Sequence, residues 1–323
     1  MPSNPSSASP ECADGGFHSG FKEVSRKTGK VTASVGSITE GSGTAREGEP
    51  MQFGILGALE VVSQGQRLPV RSAKQRTLLA LLLCHRGRVV RSDALIDALW
   101  GGEAADAGHR RLRLQLFRLR RTLGPEAEIV HDSAGYLLRV PPGAVDAWRF
   151  EELVKEGRQA FKSGDVGKGG ELLRAALGLW RGQALSGLDD LPLLHAQATR
   201  LEEERLAALA DRVDADLRLH RHADLVGELT GLVREHPLRE RFRGQLMLAL
   251  YRAGRQAEAL EVYRDGWHIL TNDLGLEPSP ELRRLEAAIL TSDASLTLTR
   301  ADHHHRPTRR PTSGCPHCAR RPR

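Results

Sequence analysis

The segment between His109 and Leu123 is the part of the chain whose residue types most clearly suggest chemistry. It reads HRRLRLQLFRLRRTL and carries six arginines and no acidic residue. Guanidinium groups pair with phosphates or bidentately with guanine O6 and N7, whereas glutamine suits adenine and an exposed leucine can meet a thymine methyl. A solvated helix usually gains i,i+4 pairs by mixing Glu with Arg. The uncompensated charge indicates a polyanionic partner, and the alternative is an arginine-rich face that is merely solvated.

When this segment is placed on a helix, its residues separate into two faces. The leucines recur at i, i+4, i+7 and i+11, which predicts one buried stripe. This stripe consists of Leu112, Leu116, Leu119 and Leu123. We expect the opposite face, with an arginine on each flank, to lie in the major groove of a duplex. The predicted DNA contacts on this helix are Arg110, Arg111, Arg113, Leu114, Gln115, Arg118, Arg120 and Arg121.

A small sheet and two helices are predicted ahead of this segment and would position it. The β-prone runs FGILGALEVV and QRLPV predict an N-terminal meander. A 3.6-residue period begins after Ser72, which can cap a first helix, and Ser92 can cap a second helix over residues 93–100. The segment GGEAADAG is expected to be a loop, and Gly124 with Pro125 marks the end of the arginine-rich helix.

A β-hairpin is predicted after the arginine-rich helix, with strands over residues 128–131 and 136–140. Tyr136 and Leu138 are expected to close the core beneath it. The hairpin tip is expected to reach a phosphate or the minor groove. The remaining predicted DNA contacts are His131, Ser133 and Arg139 on the hairpin and Lys74 on the first helix.

The chain after Pro142 is predicted to be helical almost to residue 290, in antiparallel pieces. Its segment LMLALYRAGRQAEALEVYRDGW resembles a tetratricopeptide (TPR) unit. Small residues such as Ala259 would let helices approach, and aromatic residues such as Tyr263 would fill the gap between helix pairs. The predicted fold class is therefore mainly α, a winged helix-turn-helix followed by an all-helical, TPR-like domain.

Charge and composition divide the chain into parts. Residues 1–50 contain few large apolar side chains and are predicted to be disordered. Residues 51–143 carry 14 basic and 8 acidic side chains, whereas residues 144–299 carry 21 and 26. A basic block beside an acidic block indicates one polyanion-binding domain and one that is not. We predict a DNA-binding domain over 51–143, a helical domain over 144–292 and a disordered basic tail over 293–323.

Several motifs, in the same order, resemble the SARP (Streptomyces antibiotic regulatory protein, AfsR-like) family. The segments MQFGILGALEVV, AKQRTLLALLL, VVRSDALIDALWG, LFRLRRTLG and AGYLLRV resemble its OmpR-type winged helix. The stretch from VDAWRFEEL to LGLEPSPELRRLE resembles its bacterial transcriptional activation domain. The resemblance implies a transcriptional activator of a secondary-metabolite (antibiotic) gene cluster. Such an activator binds direct repeats near the −35 region and recruits RNA polymerase through its σ factor.

The resemblance also implies the partners, which are double-stranded promoter DNA and the RNA polymerase holoenzyme. Direct repeats imply two protomers head to tail on one face of the duplex, with half-sites about 10 to 11 base pairs apart. Family members commonly carry small or amide residues where this chain has the run from Arg110 to Leu114. The operator sequence therefore does not follow from the resemblance.

No catalytic residue, cofactor or metal site is predicted. Cys315, His317 and Cys318 supply only half of a zinc-knuckle spacing. GDVGKGG is not a P-loop because Lys162 stands where the first glycine is needed. The longest apolar run, Leu78–Cys84, is far below the roughly 18 residues that span a bilayer, and a cytoplasmic location is expected. The alternative function is a TPR-like scaffold whose winged helix contacts only protein.

Overall fold

The fold is described from a computed structural model over residues 51–101, 105–141, 143–188 and 190–297. The predicted disorder of residues 1–50 concerns a part of the chain outside these ranges. The tail beyond residue 297, which contains Cys315, His317 and Cys318, also lies outside them.

The described chain begins with a three-stranded antiparallel sheet, which is the predicted meander. Strand β1 (Gln52–Gly54) pairs with β2 (Glu60–Ser63), and β2 pairs with β3 (Gln66–Arg67). The turn between β2 and β3 places Gly65 at a φ of 75°, where the missing Cβ removes the usual steric cost. Phe53 of β1 is only 1% exposed, so one face of this sheet belongs to the core.

Three helices and a hairpin follow, in the order expected for a winged helix. Their bounds are α1 Ala73–Cys84, β4 Val90–Arg91, α2 Ser92–Trp100, α3 Ala105–Leu123, β5 Glu128–Asp132 and β6 Gly135–Arg139. The short strand β4 pairs with β6, which gives a second antiparallel sheet of order β4-β6-β5. The hairpin of β5 and β6 is the wing, and this sheet ties it to the start of α2.

Helix α3 begins at Ala105, earlier than the predicted start at His109. The sequence prediction assigns Gly108 to the preceding loop, but this residue lies inside the helix. A Cβ at Gly108 would be 2.5 Å from Cγ2 of Ile96 on α2. The glycine therefore allows α2 and α3 to pack closely and does not interrupt α3.

The two predicted serine caps differ from the observed helix starts. Ser72 is the N-cap residue of α1, but its side chain makes no capping hydrogen bond. Ser92 is the first residue of α2, and the N-cap position belongs to Arg91, whose side chain also makes no capping bond. Both helices begin where the sequence suggests, but packing rather than side-chain capping holds their first turns.

The chain from residue 146 onward forms the predicted helical segment. Its helices are α4 Asp146–Lys162, α5 Val166–Leu177, α6 Pro192–Arg218, α7 His222–Glu235, α8 Glu240–Arg252, α9 Gln256–His268 and α10 Pro280–Leu290. Consecutive helices contact one another in the pairs α4 with α5, α7 with α8 and α8 with α9. Ala259 is fully buried and Tyr263 is 7% exposed, in keeping with their predicted places between TPR-like helices.

Two hydrophobic cores organise the described residues. The first contains residues from Met51 to Ala208 and joins the N-terminal sheet, the winged helix and helices α4 to α6. The second contains residues from Ala210 to Ile289. Because the first core crosses residues 143 and 144, the predicted domain boundary is not a gap in the packing. Helix α6 contributes side chains to both cores.

Hydrogen bonds reinforce the junction between the N-terminal sheet and the helical segment. The N–H of Phe53 donates to the carbonyl of Ala144 at 2.7 Å, and the N–H of Leu185 donates to the carbonyl of Ile55 at 2.9 Å. The Asp146 carboxylate at the start of α4 accepts the N–H of Ile55 at 2.8 Å. Charge-assisted bonds of this kind are stronger than bonds between neutral groups. The winged helix is therefore held in a fixed orientation on α4.

Candidate nucleic-acid interface

The leucine side of α3 is buried, as the sequence predicts. Each of its four leucines is at most 2% exposed and packs within the first core. Truncating any of them to alanine would cost about 2 to 5 kcal/mol of stability. They are Leu112, Leu116, Leu119 and Leu123. This anchoring fixes which side of α3 faces outward.

The outward line of α3 repeats the spacing of the buried stripe, two residues earlier in the chain. Because successive residues turn by about 100° around an α-helix, a shift of two residues leads to the opposite side. All four members are exposed, and the two apolar ones, Leu114 and Phe117, are 46% and 56% exposed. We call this line the outer row, and it consists of Arg110, Leu114, Phe117 and Arg121.

The arginines on this side of α3 leave an excess of positive charge. Arg110, Arg118 and Arg121 are exposed and form no ion pair within the described part of the chain. Arg111 is exposed as well. Arg113 donates from Nε to the carbonyl of His109 at 3.4 Å, which keeps its side chain along the helix and its charge unneutralised. A surface of this kind attracts polyanions.

Two predicted contacts on α3 lie beside the buried stripe instead of on the outer row. Arg120 donates from Nε and Nη2 to the carbonyl of Ile129 on β5, at 3.1 and 2.7 Å. Its guanidinium therefore holds the wing against α3. Gln115 is half-buried, and its Oε1 has no hydrogen-bond partner within the described residues. Helical spacing alone places both residues among the exposed arginines, because it does not show where β5 crosses the helix.

The tip of the wing is polar. The Asp132 carboxylate accepts hydrogen bonds from the Ser133 hydroxyl at 2.9 Å and from the N–H of Ala134 at 3.4 Å. The hydrogen bond from Ser133, and then the one from Ala134, lower the pKa of Asp132 below its usual value. The His131 ring packs on Tyr136 with ring centroids 4.7 Å apart. The structure thus brings the predicted contacts His131 and Ser133 together at the tip, where Ser133 already bonds to a carboxylate.

A cross-strand ion pair lies at the base of the wing, and a close backbone approach to β4 lies beside its tip. Arg139 donates from Nη1 to Glu128 Oε2 at 3.3 Å, and both side chains are well exposed. The predicted contact Arg139 therefore has an acidic neighbour that a phosphate would have to displace. A Cβ at Gly135 would be 1.9 Å from the carbonyl oxygen of Val90, so only glycine lets β6 pair with β4.

Lys74 is the one predicted contact on α1, and the structure gives it another partner. Its Nζ donates to the carbonyl of Leu99 in the last turn of α2. The last carbonyls of a helix have no intrahelical partner and interact favourably with a cation. Lys74 therefore connects α1 with the end of α2, and the structure does not bring its ammonium to the outer row.

Sequence reasoning missed Phe117. An aromatic residue beside a leucine stripe suggests a core position, but Phe117 is more than half exposed and lies between two arginines on the outer row. Its register could have revealed this, because it is seven residues after Arg110 and four before Arg121.

The described residues contain no helix that is long and apolar enough to cross a membrane. Within the same residues, no group of three His, Cys, Asp or Glu side chains is placed to hold a metal ion.

The chain matches two family descriptions. Residues 66–138 match "Transcriptional regulatory protein, C terminal", and residues 145–290 match "Bacterial transcriptional activator domain". The first match covers α1 to α3 and most of the wing, and the second covers α4 to α10. This combination defines an OmpR-type winged-helix transcriptional regulator with an activator domain.

Individual relatives agree with this class. The chain is 36% identical over 256 residues to the regulatory protein DnrI of Streptomyces peucetius, which covers 76% of this chain and 94% of DnrI. It is 43% identical over 251 residues to the regulatory protein AfsR of Streptomyces coelicolor, which covers 77% of this chain but only 25% of AfsR. The structure of Mycobacterium tuberculosis EmbR in complex with a low affinity phosphopeptide matches with a TM-score of 0.72 and 34% identity, over 75% of this chain and 65% of that one.

The chain belongs to the SARP, AfsR-like family of transcriptional regulators. It spans about a quarter of the length of its AfsR relative. The members that match this chain are regulators of transcription.

Proposed function

We propose that this regulator binds double-stranded DNA in a sequence-specific manner, with the outward side of α3 in the major groove. The proposal rests on the difference between the two sides of α3. Its leucine stripe is fully buried, whereas Arg110, Arg118 and Arg121 face outward with no acidic partner among the described residues. A DNA duplex supplies the phosphates and guanine edges to which these guanidinium groups can bind.

The proposal extends to activation at a promoter. Two protomers bind direct repeats head to tail near the −35 region, and the helical segment recruits RNA polymerase holoenzyme through its σ factor. The regulated genes form a secondary-metabolite cluster. Membership of the family and the fixed orientation of the winged helix on α4 support this arrangement, because a rigid junction presents the helical segment at a defined place on the DNA.

DNase footprinting upstream of genes neighbouring the coding sequence would locate the operator, and salt-dependent binding would test the mechanism. Binding of the full chain to that operator should weaken steeply between low and moderate salt, because each phosphate contact releases counterions. The triple variant Arg110→Gln, Arg118→Gln, Arg121→Gln should lose operator binding and bind heparin less tightly. A protein whose operator binding survives this change would contradict the proposal.

A matched control removes the same charge from the helical segment. The triple variant Arg255→Gln, Arg283→Gln, Arg284→Gln changes exposed arginines that each pair with a neighbouring acid, which is Glu258, Glu277 or Glu281. It should bind the operator like the original chain. Equal losses in both triple variants would indicate a nonspecific effect of net charge and would count against major-groove binding by α3.

The alternative is a protein-binding scaffold, in which α3 contacts an acidic protein. A low affinity phosphopeptide is bound in the EmbR complex, so that relative has a peptide ligand. The scaffold function predicts no footprint at any promoter and no salt-dependent binding to duplex DNA.

A further inference from the structure

The outer row of α3 carries two apolar side chains that the cores do not use. Leu114 is 46% exposed and Phe117 is 56% exposed. Residues three apart on a helix are neighbours, so these side chains form one patch. Arg110 lies one turn before the patch and Arg121 one turn after it. Large apolar side chains that remain exposed do not gain the free energy of burial. A patch of them on a protein surface indicates a contact site.

The charges around the patch determine which partner can cover it. A protein surface that buried Leu114 and Phe117 would also have to bury the neighbouring guanidinium groups, which is costly unless acids meet them. A DNA duplex pairs these groups with phosphates and guanine edges. In its major groove the base edge that offers an apolar group is thymine, through the C5-methyl. The patch therefore fits a groove that contains thymine.

We propose that Leu114 and Phe117 read thymine methyl groups, so that each half-site of the operator contains thymine at the one or two positions that they reach. This inference rests on the proposed function and assigns a specificity role to two residues of that same face. The spacing supports it. Leu114 and Phe117 are about 4.5 Å apart along the helix axis, which is close to the rise of about 3.4 Å between adjacent base pairs. Two neighbouring side chains can thus meet two neighbouring bases.

Replacing thymine by uracil removes the methyl group and leaves the Watson–Crick pair intact, which makes it the sharpest test. The operator is first obtained by selection from a random duplex library with the full chain. Each thymine of a half-site is then replaced by uracil in turn, and the dissociation constant is measured. At one or two positions the original chain should bind about fourfold more weakly, as expected for one lost methyl contact.

The variants Phe117→Ala and Leu114→Ala should lose this discrimination. Each should bind the thymine duplex more weakly than the original chain but should bind the thymine and uracil duplexes almost equally at its own position. Both positions are exposed, and circular dichroism would confirm that the variants fold. Leu276→Ala is the matched control, because Leu276 is 57% exposed but lies after α9. It should keep the full discrimination.

Three results would overturn the inference. The original chain could bind thymine and uracil duplexes equally at every position, or both alanine variants could discriminate as well as the original chain. Phe117→Ala could also change the oligomeric state without changing DNA affinity, which would make the patch a contact between copies. If operator binding depends on Arg118 but ignores every methyl, this inference fails and the proposed function stands. If the original chain binds no duplex at all, the proposed function itself fails.

Discussion

Helices α3 and α6 both carry several arginines, but they use them in opposite ways. On α6, the Asp216 carboxylate is only 4% exposed and pairs with arginines from three places in the chain. We call this group the Asp216 cluster, and it comprises Asp216, Arg174, Arg212, Arg221 and Glu228. On the outer side of α3, the arginines have almost no acidic neighbours within the described residues.

The position of the acidic residues, more than the number of arginines, distinguishes a structural arginine from one that is available for binding. A buried guanidinium such as that of Arg212 is tolerated because two carboxylates satisfy it. An exposed guanidinium without a carboxylate, such as that of Arg118, costs little in water and remains available to a partner. The comparison therefore predicts that variants in the two helices will fail in different assays.

The largest effect is expected from Asp216→Ala. Loss of the Asp216 carboxylate leaves Arg212, which is only 8% exposed, with one carboxylate instead of two. It also leaves Arg174 and Arg221 without their shared partner. The free energy of unfolding should fall by about 3 kcal/mol, as for other broken buried ion pairs. Urea denaturation would measure it.

Glu258→Gln is the control for the Asp216 experiment. Glu258 pairs with Arg255 on the surface of α9, where solvent screens the interaction. This variant should unfold at the same urea concentration as the original chain. A similar loss in both variants would mean that burial does not distinguish the Asp216 cluster from surface pairs.

The next effect is expected from Arg118→Ala, in binding and not in stability. Specific affinity for the operator should fall by about 1 to 3 kcal/mol if the guanidinium reads a base edge. Affinity for random DNA should fall much less, and the urea midpoint should not move. Titration of operator and random duplexes would measure both affinities. Equal losses on the two duplexes would refute base reading by Arg118.

Arg120→Ala tests the same distinction between two arginines of one helix. Although Arg120 is separated from Arg118 only by Leu119, its two hydrogen bonds to the Ile129 carbonyl place it with the structural arginines. Stability should fall by about 1 to 2 kcal/mol, at the low end for hydrogen bonds from a charged donor because the Arg120 side chain is exposed. Arg121→Ala, one residue further and on the outer row, should leave the urea midpoint unchanged. If Arg121→Ala destabilised the protein as much, the division of α3 into two sides would be wrong.

The smallest effect concerns pH. Burial, followed by the nearby charges of Arg252 and His220, lowers the pKa of His222 below its usual value. The imidazole of His222 therefore binds a proton less tightly in the folded protein than in the unfolded chain. Stability from this group is complete above the unfolded value of about 6.5 and is lost as the pH falls below it.

Unfolding midpoints between pH 5 and 8 should accordingly depend less on pH in His222→Gln than in the original chain. An NMR titration of the imidazole would report the pKa of His222 directly. Arg252→Gln should raise that value, because it removes a nearby positive charge. Titration of His222 at or above the usual histidine value would contradict the burial argument.

The sequence was sufficient for the periodic parts of the fold. The leucine spacing of α3 predicted its buried side, because helical geometry relates residues of one helix to one another. Turn residues such as Gly124 and Gly135 predicted where α3 ends and where the hairpin lies. The family motifs predicted that the winged helix precedes the helical domain.

Contacts between elements could not be predicted in the same way. Gly108 reads as a helix breaker, but it serves the close approach of α2 and α3 at Ile96. From the sequence, Arg120 and Lys74 are predicted to bind DNA. In the structure they donate hydrogen bonds to the carbonyls of Ile129 and Leu99. Each of these partners lies on a different element from the residue it contacts, and no local pattern reveals it.

Because one continuous core runs from Met51 to Ala208, the winged helix and helices α4 to α6 pack together as one unit. A protein seated on a duplex through α3 would hold its second core, around Leu229 and Met247, at a set angle about the DNA axis. Moving the operator by half a turn, about five base pairs, would carry that core to the far side of the duplex, and a full turn of about ten base pairs would return it. Transcription from the promoter should therefore vary periodically with the position of the operator, with a period of about one helical turn, and not simply decrease with distance.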